Sequence, residues 1–301
     1  MRVTFLGTSA GTPTPDRGLP SVLLEVEGEQ LLLDCGEGTQ RQMMKAGASL
    51  GKRMKIFITH MHGDHIFGLP GLIQTMNLIN RRHPLEVFGP PGIRDFIEQT
   101  TVPAMCEPAF ELGVHEVGGG EIISCRNYTV TGAWGEHSVP NIGYRITVGG
   151  SPGRFLPEKA RALGVPEGPL WGALKAGKPA VLEGGREVKP SEVLGDPVRG
   201  VSVVYSGDTR PSEGIVRLAE GAELLIHEST FSEELRERAW EEGHSTARGA
   251  AEVASRAGVK KLILTHFSAR YPDASLLEAE ARAIFANSSA AKDLEAYELK
   301  T

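Results

Sequence analysis

The chain has 301 residues, 40% apolar and 23% charged, an ordinary globular composition that can hold one large domain or two small ones. Neither its start, Met1-Arg2-Val3-Thr4-Phe5-Leu6-Gly7, nor any later stretch carries the apolar run that a signal peptide or a bilayer span requires, so a cytoplasmic location without membrane association is expected. Cys35, Cys106 and Cys125, odd in number and far apart, suggest neither a disulfide framework nor a thiolate zinc site, and the net charge of −6 taken alone counts against a nucleic-acid partner.

Apolar periodicity predicts strands at 3–6, 21–26, 30–34, 56–59 and 85–88, alternating with helices at 40–46, 66–80 and 93–100. Strand-like runs follow at 128–134 and 142–148. Between Gly149 and Gly200 the pattern breaks, with Pro152, Pro157, Pro166, Pro169, Pro179, Pro190 and Pro197 among many glycines. An apolar-poor insertion of this length is expected to protrude as a loop-like segment instead of packing in the core. Beyond it the mixture resumes, with strands at 202–205, 224–227 and 262–265 and helices at 212–219, 233–241, 246–257 and 275–286. Two packed sheets with helices outside would bury both apolar faces, giving one α/β domain over 1–301 with an insertion.

The segment Thr59-His60-Met61-His62-Gly63-Asp64-His65 decides the chemistry. Single histidines are usually surface groups or satisfied core residues, but three imidazoles and a carboxylate at one tight turn would leave lone pairs unsatisfied or repel one another without a metal. His60 and His62, two apart at a strand end, can point to one side, whereas Asp64 and His65 fall where a helical pattern begins and aim at a second position. Two adjacent ions therefore suit the spacing better than one, and imidazole with carboxylate suits Zn²⁺, with Mn²⁺ or Fe²⁺ as substitutes. Further ligands should stand at the ends of other apolar runs. Asp208 in Gly207-Asp208-Thr209, His266 in His266-Phe267-Ser268 and His137 in Glu136-His137-Ser138 occupy such places, and Gly207 lets the chain turn sharply beside its carboxylate.

These residues resemble the ligand pattern of the metallo-β-lactamase superfamily. The resemblance implies His60, His62 and His137 on one metal, Asp64, His65 and His266 on the other, and Asp208 bridging. The short form of tRNase Z is a closer match over nearly the whole chain, carried by Phe5-Leu6-Gly7-Thr8-Ser9-Ala10-Gly11, Leu33-Asp34-Cys35-Gly36-Glu37-Gly38-Thr39-Gln40, His137-Ser138-Val139-Pro140-Asn141-Ile142-Gly143-Tyr144, Tyr205-Ser206-Gly207-Asp208-Thr209-Arg210-Pro211, Glu228-Ser229-Thr230-Phe231, Gly243-His244-Ser245-Thr246-Ala247 and Leu264-Thr265-His266-Phe267-Ser268.

That family implies an αββα sandwich, two Zn²⁺ per subunit, a homodimer in which one subunit's arm serves the other's active site, and a precursor tRNA substrate. It implies an endoribonuclease that removes the 3′ trailer. A water shared by two ions ionises near neutral pH and attacks the phosphodiester in line, leaving a tRNA 3′-hydroxyl and a 5′-phosphorylated trailer. Asp64 would both ligate and orient or deprotonate the nucleophile. His244, which alone reads as a residue of the capping region before the helix at 246, becomes a general acid or phosphate contact. Asp34 would orient a ligand imidazole from behind, and His83 and His115 read as structural. Ser9 and its neighbouring glycines are weak phosphate holders, because the lysine of a P-loop is missing.

Within 151–195, Leu163-Gly164-Val165-Pro166-Glu167-Gly168-Pro169-Leu170-Trp171 looks like the arm with which the family grips the tRNA elbow, with Gly168 and Pro169 at its substrate contact. Seven Lys and Arg against five Glu give that segment a small positive excess. Lys52-Arg53-Met54-Lys55 and Arg81-Arg82 flank the metal segment and add modest support for an RNA partner. The first loop, Pro13-Thr14-Pro15-Asp16-Arg17-Gly18, keeps the Pro and Arg of the family's Pro-x-Lys-x-Arg-Asn but not its Lys and Asn. Arg17 is thus a substrate-binding candidate, with the cleavage position left open. The alternative in the same superfamily is a general metal-dependent phosphodiesterase acting on small substrates. A flavo-diiron oxidoreductase would want Glu in place of His62, a glyoxalase-type hydrolase would not need the arm, and a catalytically dead RNA-binding module would not need the full ligand set.

Overall fold

A computed structural model describes residues 1–150, 153–196 and 200–300. Two sheets organise the larger of two compact units, Met1–Ile146 with Ser202–Lys300. The first runs, edge to edge, Ala296–Glu298, Arg2–Gly7, Ser21–Val26, Glu29–Leu33, Met54–Phe57, Leu85–Gly89 and Leu112–Glu116. The second runs Ser288–Ala290, Lys261–Thr265, Leu224–Glu228, Val201–Tyr205, Ile142–Val148, Tyr128–Trp134 and Gly120–Ser124.

Inner strands read as continuous apolar runs because both of their faces are covered. Leu31, Leu32 and Leu33 are all fully buried although their side chains alternate in direction. On one outer face, Leu69, Leu72, Ile73 and Met76 of the helix Gly68–Leu78 and Ile93 and Ile97 of the helix Ile93–Thr101 pack onto Ile56, Leu85 and Val87. On the other, the helix Ala247–Ala257 lays Ala247, Ala250, Ala251, Ala254 and Ala257 against Leu225, Leu262 and Leu264. Its recurrent alanines let the helix axis come close to the sheet, its N-terminus is capped by Thr246 Oγ1 accepting from the Gly249 N–H at 3.0 Å, and Gly258 ends it in the left-handed region. Between the sheets Phe57 stacks on Phe88 and meets Tyr144 edge-on, and the Tyr144 hydroxyl donates to the Ile58 carbonyl at 2.6 Å.

Two expectations change. The single helix at 66–80 is a turn of helix, Gly63–Ile66, followed by Gly68–Leu78. Gly68 breaks it because its N–H donates to the Cys35 carbonyl, and a Cβ there would stand 2.1 Å from the Gly36 oxygen. The segment Thr147–Val201 is a second compact unit with its own small core, not a bare apolar-poor loop. Ala160, Val165, Leu174, Ala180, Val188 and Val193 are buried there, with Phe155 and Trp171 packed on them. Its breaker-like prolines include helix starts, since Pro157, Pro169 and Pro190 open Pro157–Ala162, Pro169–Lys175 and Pro190–Val193. Pro152 and Pro197 lie outside the described residues.

Candidate metal centre

Seven side chains converge where strands of both sheets end. His60 and His62 follow Met54–Phe57, Asp64 and His65 lie in the short helix Gly63–Ile66, His137 follows Tyr128–Trp134, Asp208 follows Val201–Tyr205 and His266 follows Lys261–Thr265. Ligand atoms of His60, His62, His137 and Asp208 lie within 4.8 Å of one another, as do those of Asp64, His65 and His266. Asp208 Oδ2 stands 3.7 Å from His60 Nε2, 3.4 Å from His65 Nε2 and 3.2 Å from His266 Nε2, which places it between the two groups.

Four of the five imidazoles are fixed from behind, leaving one nitrogen facing inward. His65 Nδ1–H donates to Asp34 Oδ2 at 2.7 Å, His137 Nδ1–H to the Gly243 carbonyl at 2.7 Å, and His266 Nδ1–H to Thr230 Oγ1 at 2.8 Å. His60 Nδ1 stands 2.9 Å from Thr59 Oγ1, whose proton goes to Asp34. Each partner selects the tautomer whose inward nitrogen carries a lone pair, the form that binds a cation. Asp34 also accepts from the Thr59 N–H at 2.8 Å and the Tyr205 hydroxyl at 2.9 Å, so one carboxylate ties the two sheets together behind the centre.

The backbone bends to achieve this. Asp34 at φ 58° and His266 at φ 59° occupy the left-handed region that costs an ordinary residue about 1–2 kcal/mol, and both are held by the hydrogen bonds just named. Gly207 has φ 59°, and a Cβ there would meet Asn141 Oδ1 at 2.3 Å and Thr59 Cβ at 2.7 Å.

Electrostatics favour a cation. Burial and the neighbouring imidazoles push His60 well below the ordinary histidine range, and burial also lowers His62 and His137. For Asp208, burial opposes ionisation, but His266, His65 and His60 hold its carboxyl well below the usual range, and Asp64 is likewise lowered, against burial, by His266 and His65. Burial opposes protonation of His65 too, yet Asp208 and Asp34 raise it well above an ordinary histidine. A divalent cation among these groups would supply the positive charge that protonated imidazoles otherwise provide to the two carboxylates. Among the described residues Asp208 Oδ1 is buried without a hydrogen-bond partner, which suits an oxygen reserved for a metal. The donor set of imidazoles and carboxylates without thiolate fits a divalent cation.

Glu228, which the sequence reading named only within a motif, borders the cluster. Fully buried at the end of Leu224–Glu228, it accepts from the Thr209 N–H at 3.0 Å, Thr230 Oγ1 at 2.8 Å and His244 Nδ1 at 2.9 Å. Burial disfavours a charged His244, but Glu228 outweighs it and pushes its imidazole up to about 9. A carboxylate at the end of an apolar strand was the available signal. The Gly11 N–H donates to Asp64 Oδ2 at 2.9 Å, so the first loop touches the centre through its backbone. Arg17 lies in that loop with its guanidinium donating to the Tyr271 and Pro272 carbonyls at 3.0 and 3.2 Å. Gly168, at φ 134°, precedes the helix Pro169–Lys175 in the second unit. Arg81 is buried and donates to the carbonyls of Leu50, Lys52 and Pro84, so it holds loops and offers no charge to a partner. His83 is exposed, and His115 stacks on Phe88, away from the cluster.

Comparison with known proteins agrees with this architecture. Residues 1–106 match the family model described as anti-Pycsar protein Apyc1, and residues 174–267 match that of the beta-lactamase superfamily domain. Ribonuclease Z of Methanothermobacter thermautotrophicus is 51% identical over 300 residues, covering 100% of this chain and 97% of that protein. Ribonuclease Z of Haloferax volcanii is 46% identical, covering 95% and 90%. The crystal structure of human tRNase Z, short form, superposes with a TM-score of 0.74 at 31% identity and full coverage of both chains. No helix among the described residues is long and apolar enough to cross a membrane. With half its residues shared with a relative matched end to end, and a tRNase Z structure superposing over the whole of both chains, the chain belongs to the ribonuclease Z family and has the metallo-β-lactamase fold.

Proposed function

We propose that this protein is an endoribonuclease that removes the 3′ trailer from precursor tRNA using two Zn²⁺ ions. The carrying observation is the convergence of seven ligand side chains around Asp208 with four imidazole tautomers fixed from behind. His60, His62 and His137 would hold one ion and Asp64, His65 and His266 the other, with Asp208 shared. When bound, such a pair supplies an ionised water at neutral pH and neutralises charge building on phosphorus.

The chain's own groups carry the proton steps. Asp64, oriented by the Gly11 amide, would align the attacking water or take its proton. His244, charged through its contact with Glu228, gives its proton to the departing ribose 3′-oxygen. The P–O3′ bond breaks as the new P–O bond forms, leaving a 3′-hydroxyl on the tRNA and a 5′-phosphate on the trailer. The inserted segment 151–195, with Gly168 and Pro169, is the arm proposed to grip the tRNA, and a homodimer is the proposed assembly. Incubation with a trailer-bearing precursor tRNA beside a chromogenic phosphodiester tests the reading. Site-specific scission of the precursor is the expected result, and turnover of the small ester alone would assign a general phosphodiesterase instead.

A further inference from the structure

An exposed tryptophan by itself is ordinary. Trp240 differs in how it is held. It sits near the end of the helix Arg236–Glu242 and is 58% exposed. The Arg210 guanidinium lies 4.6 Å from its ring centre, and Arg210 Nε–H donates to the Trp240 carbonyl at 2.6 Å. Arg210 is itself fixed, its N–H donating at 2.8 Å to the carbonyl of Glu136, the residue before His137, and it stands two residues after Asp208. Three residues beyond the tryptophan, Gly243 turns at φ 79° and offers its carbonyl to His137. The indole is therefore held by Arg210 from the loop that presents Asp208, on the helix that leads into His244.

A cleft of about 170 Å³ opens at the same place, bounded by Trp240, His244, Pro211, Arg236, Glu233 and Glu252. Arg236 lies 3.7 Å from Glu233 and Arg248 lies 3.1 Å from Glu252, so both acids lining the cleft are paired with a base. A lining so balanced has no net charge to repel a neutral planar base, and the exposed indole face is there to meet it. His244 links the cleft to the reacting centre, and on the functional reading above it faces the departing 3′-oxygen.

We propose that Trp240, braced by Arg210, is the stacking platform for the base of the nucleotide that bears this leaving oxygen. The inference rests on that reading. Stacking accepts any base because each has a π face, so the platform would position the chain for scission without selecting sequence. The guanidinium held against the ring restricts its movement.

A substrate-and-protein cycle tests the proposal. Wild type, Trp240→Ala and Trp240→Phe would be assayed on a precursor tRNA and on the same RNA with an abasic nucleotide immediately 5′ of the cut. Trp240→Ala should raise KM roughly tenfold or more with kcat little changed, the scale of one base–aromatic stack, while Trp240→Phe keeps most of the affinity. The abasic RNA should lose the same factor on wild type and nothing further on Trp240→Ala. Losses that multiply independently, or an unchanged KM for Trp240→Ala on the intact RNA, would overturn the platform. Wild type inert on the intact precursor would overturn the functional reading itself.

Discussion

His65 Nδ1 and Asp34 Oδ2 lie 2.7 Å apart in the buried space between the two sheets, with the Tyr205 hydroxyl on the same carboxylate oxygen. Replacing Asp34 by Asn puts an amide NH₂ where either His65 and Tyr205 or Thr59 need an acceptor. With the NH₂ facing His65, that ring's tautomer would flip and its inward nitrogen would carry the proton. Metal affinity is expected to fall about 10–100-fold, read by competition with a chromogenic chelator. Wild-type affinity in Asp34→Asn would show that the contact is only structural.

Removing metal should destabilise the protein. Asp64 and Asp208 are ionised in a largely buried pocket, so a bound cation stabilises the folded form and not the unfolded one. At free metal a hundredfold above Kd the gain is about 2.7 kcal/mol. Calorimetry before and after chelation, then after adding Zn²⁺, should show the melting temperature fall and recover. A transition indifferent to metal would contradict the assignment.

Residues 153–193 include a core of their own, formed by Ala160, Val165, Leu174, Ala180, Val188 and Val193. Replacing this whole segment with a short Gly/Ser linker is expected to leave the melting temperature of the larger unit near its original value. It should weaken precursor-tRNA processing while sparing small phosphodiesters. Equal loss on both substrates would make the segment scaffold.

Gly207 leaves no room for a side chain at φ 59°. Gly207→Ala should cost about 1–3 kcal/mol and shift Asp208, lowering metal content together with stability in denaturant titrations. A variant as stable and as metal-loaded as wild type would show that the turn relaxes freely.

Thiol chemistry offers an independent check of burial. Cys35 and Cys106 are buried, and burial pushes the Cys35 thiol far above an ordinary cysteine. A thiol-reactive dye should label Cys125 first in the native protein and all three cysteines only after unfolding. Rapid native labelling of Cys35 would contradict the packing behind the metal segment.

Where the sequence reading was thin, the cause is solvent. The strands Leu112–Glu116, Gly120–Ser124, Ser288–Ala290 and Ala296–Glu298 escaped it, and these four are the outer edges of the two sheets. With one side open to water they carry little apolar pattern, as the exposed Glu121 and Glu298 illustrate. The second unit hid for a related reason, because Ala160, Val165 and Leu174 form too small a core to impose a clear period amid prolines and glycines.

The sequence by itself determined the inner strands, the main helices and the types of the seven candidate ligands, because burial on both faces forces long apolar runs and metal chemistry restricts donors to a few side chains. Only the tertiary structure decided which nitrogen of each imidazole turns inward. That choice is made by Asp34, Thr59, Gly243 and Thr230, distant in sequence from most of the rings they touch, and by left-handed turns at Asp34 and His266 that no local propensity favours. Strand ends can be read from neighbours along the chain, but the hydrogen bonds that aim a ring exist only once two sheets have packed.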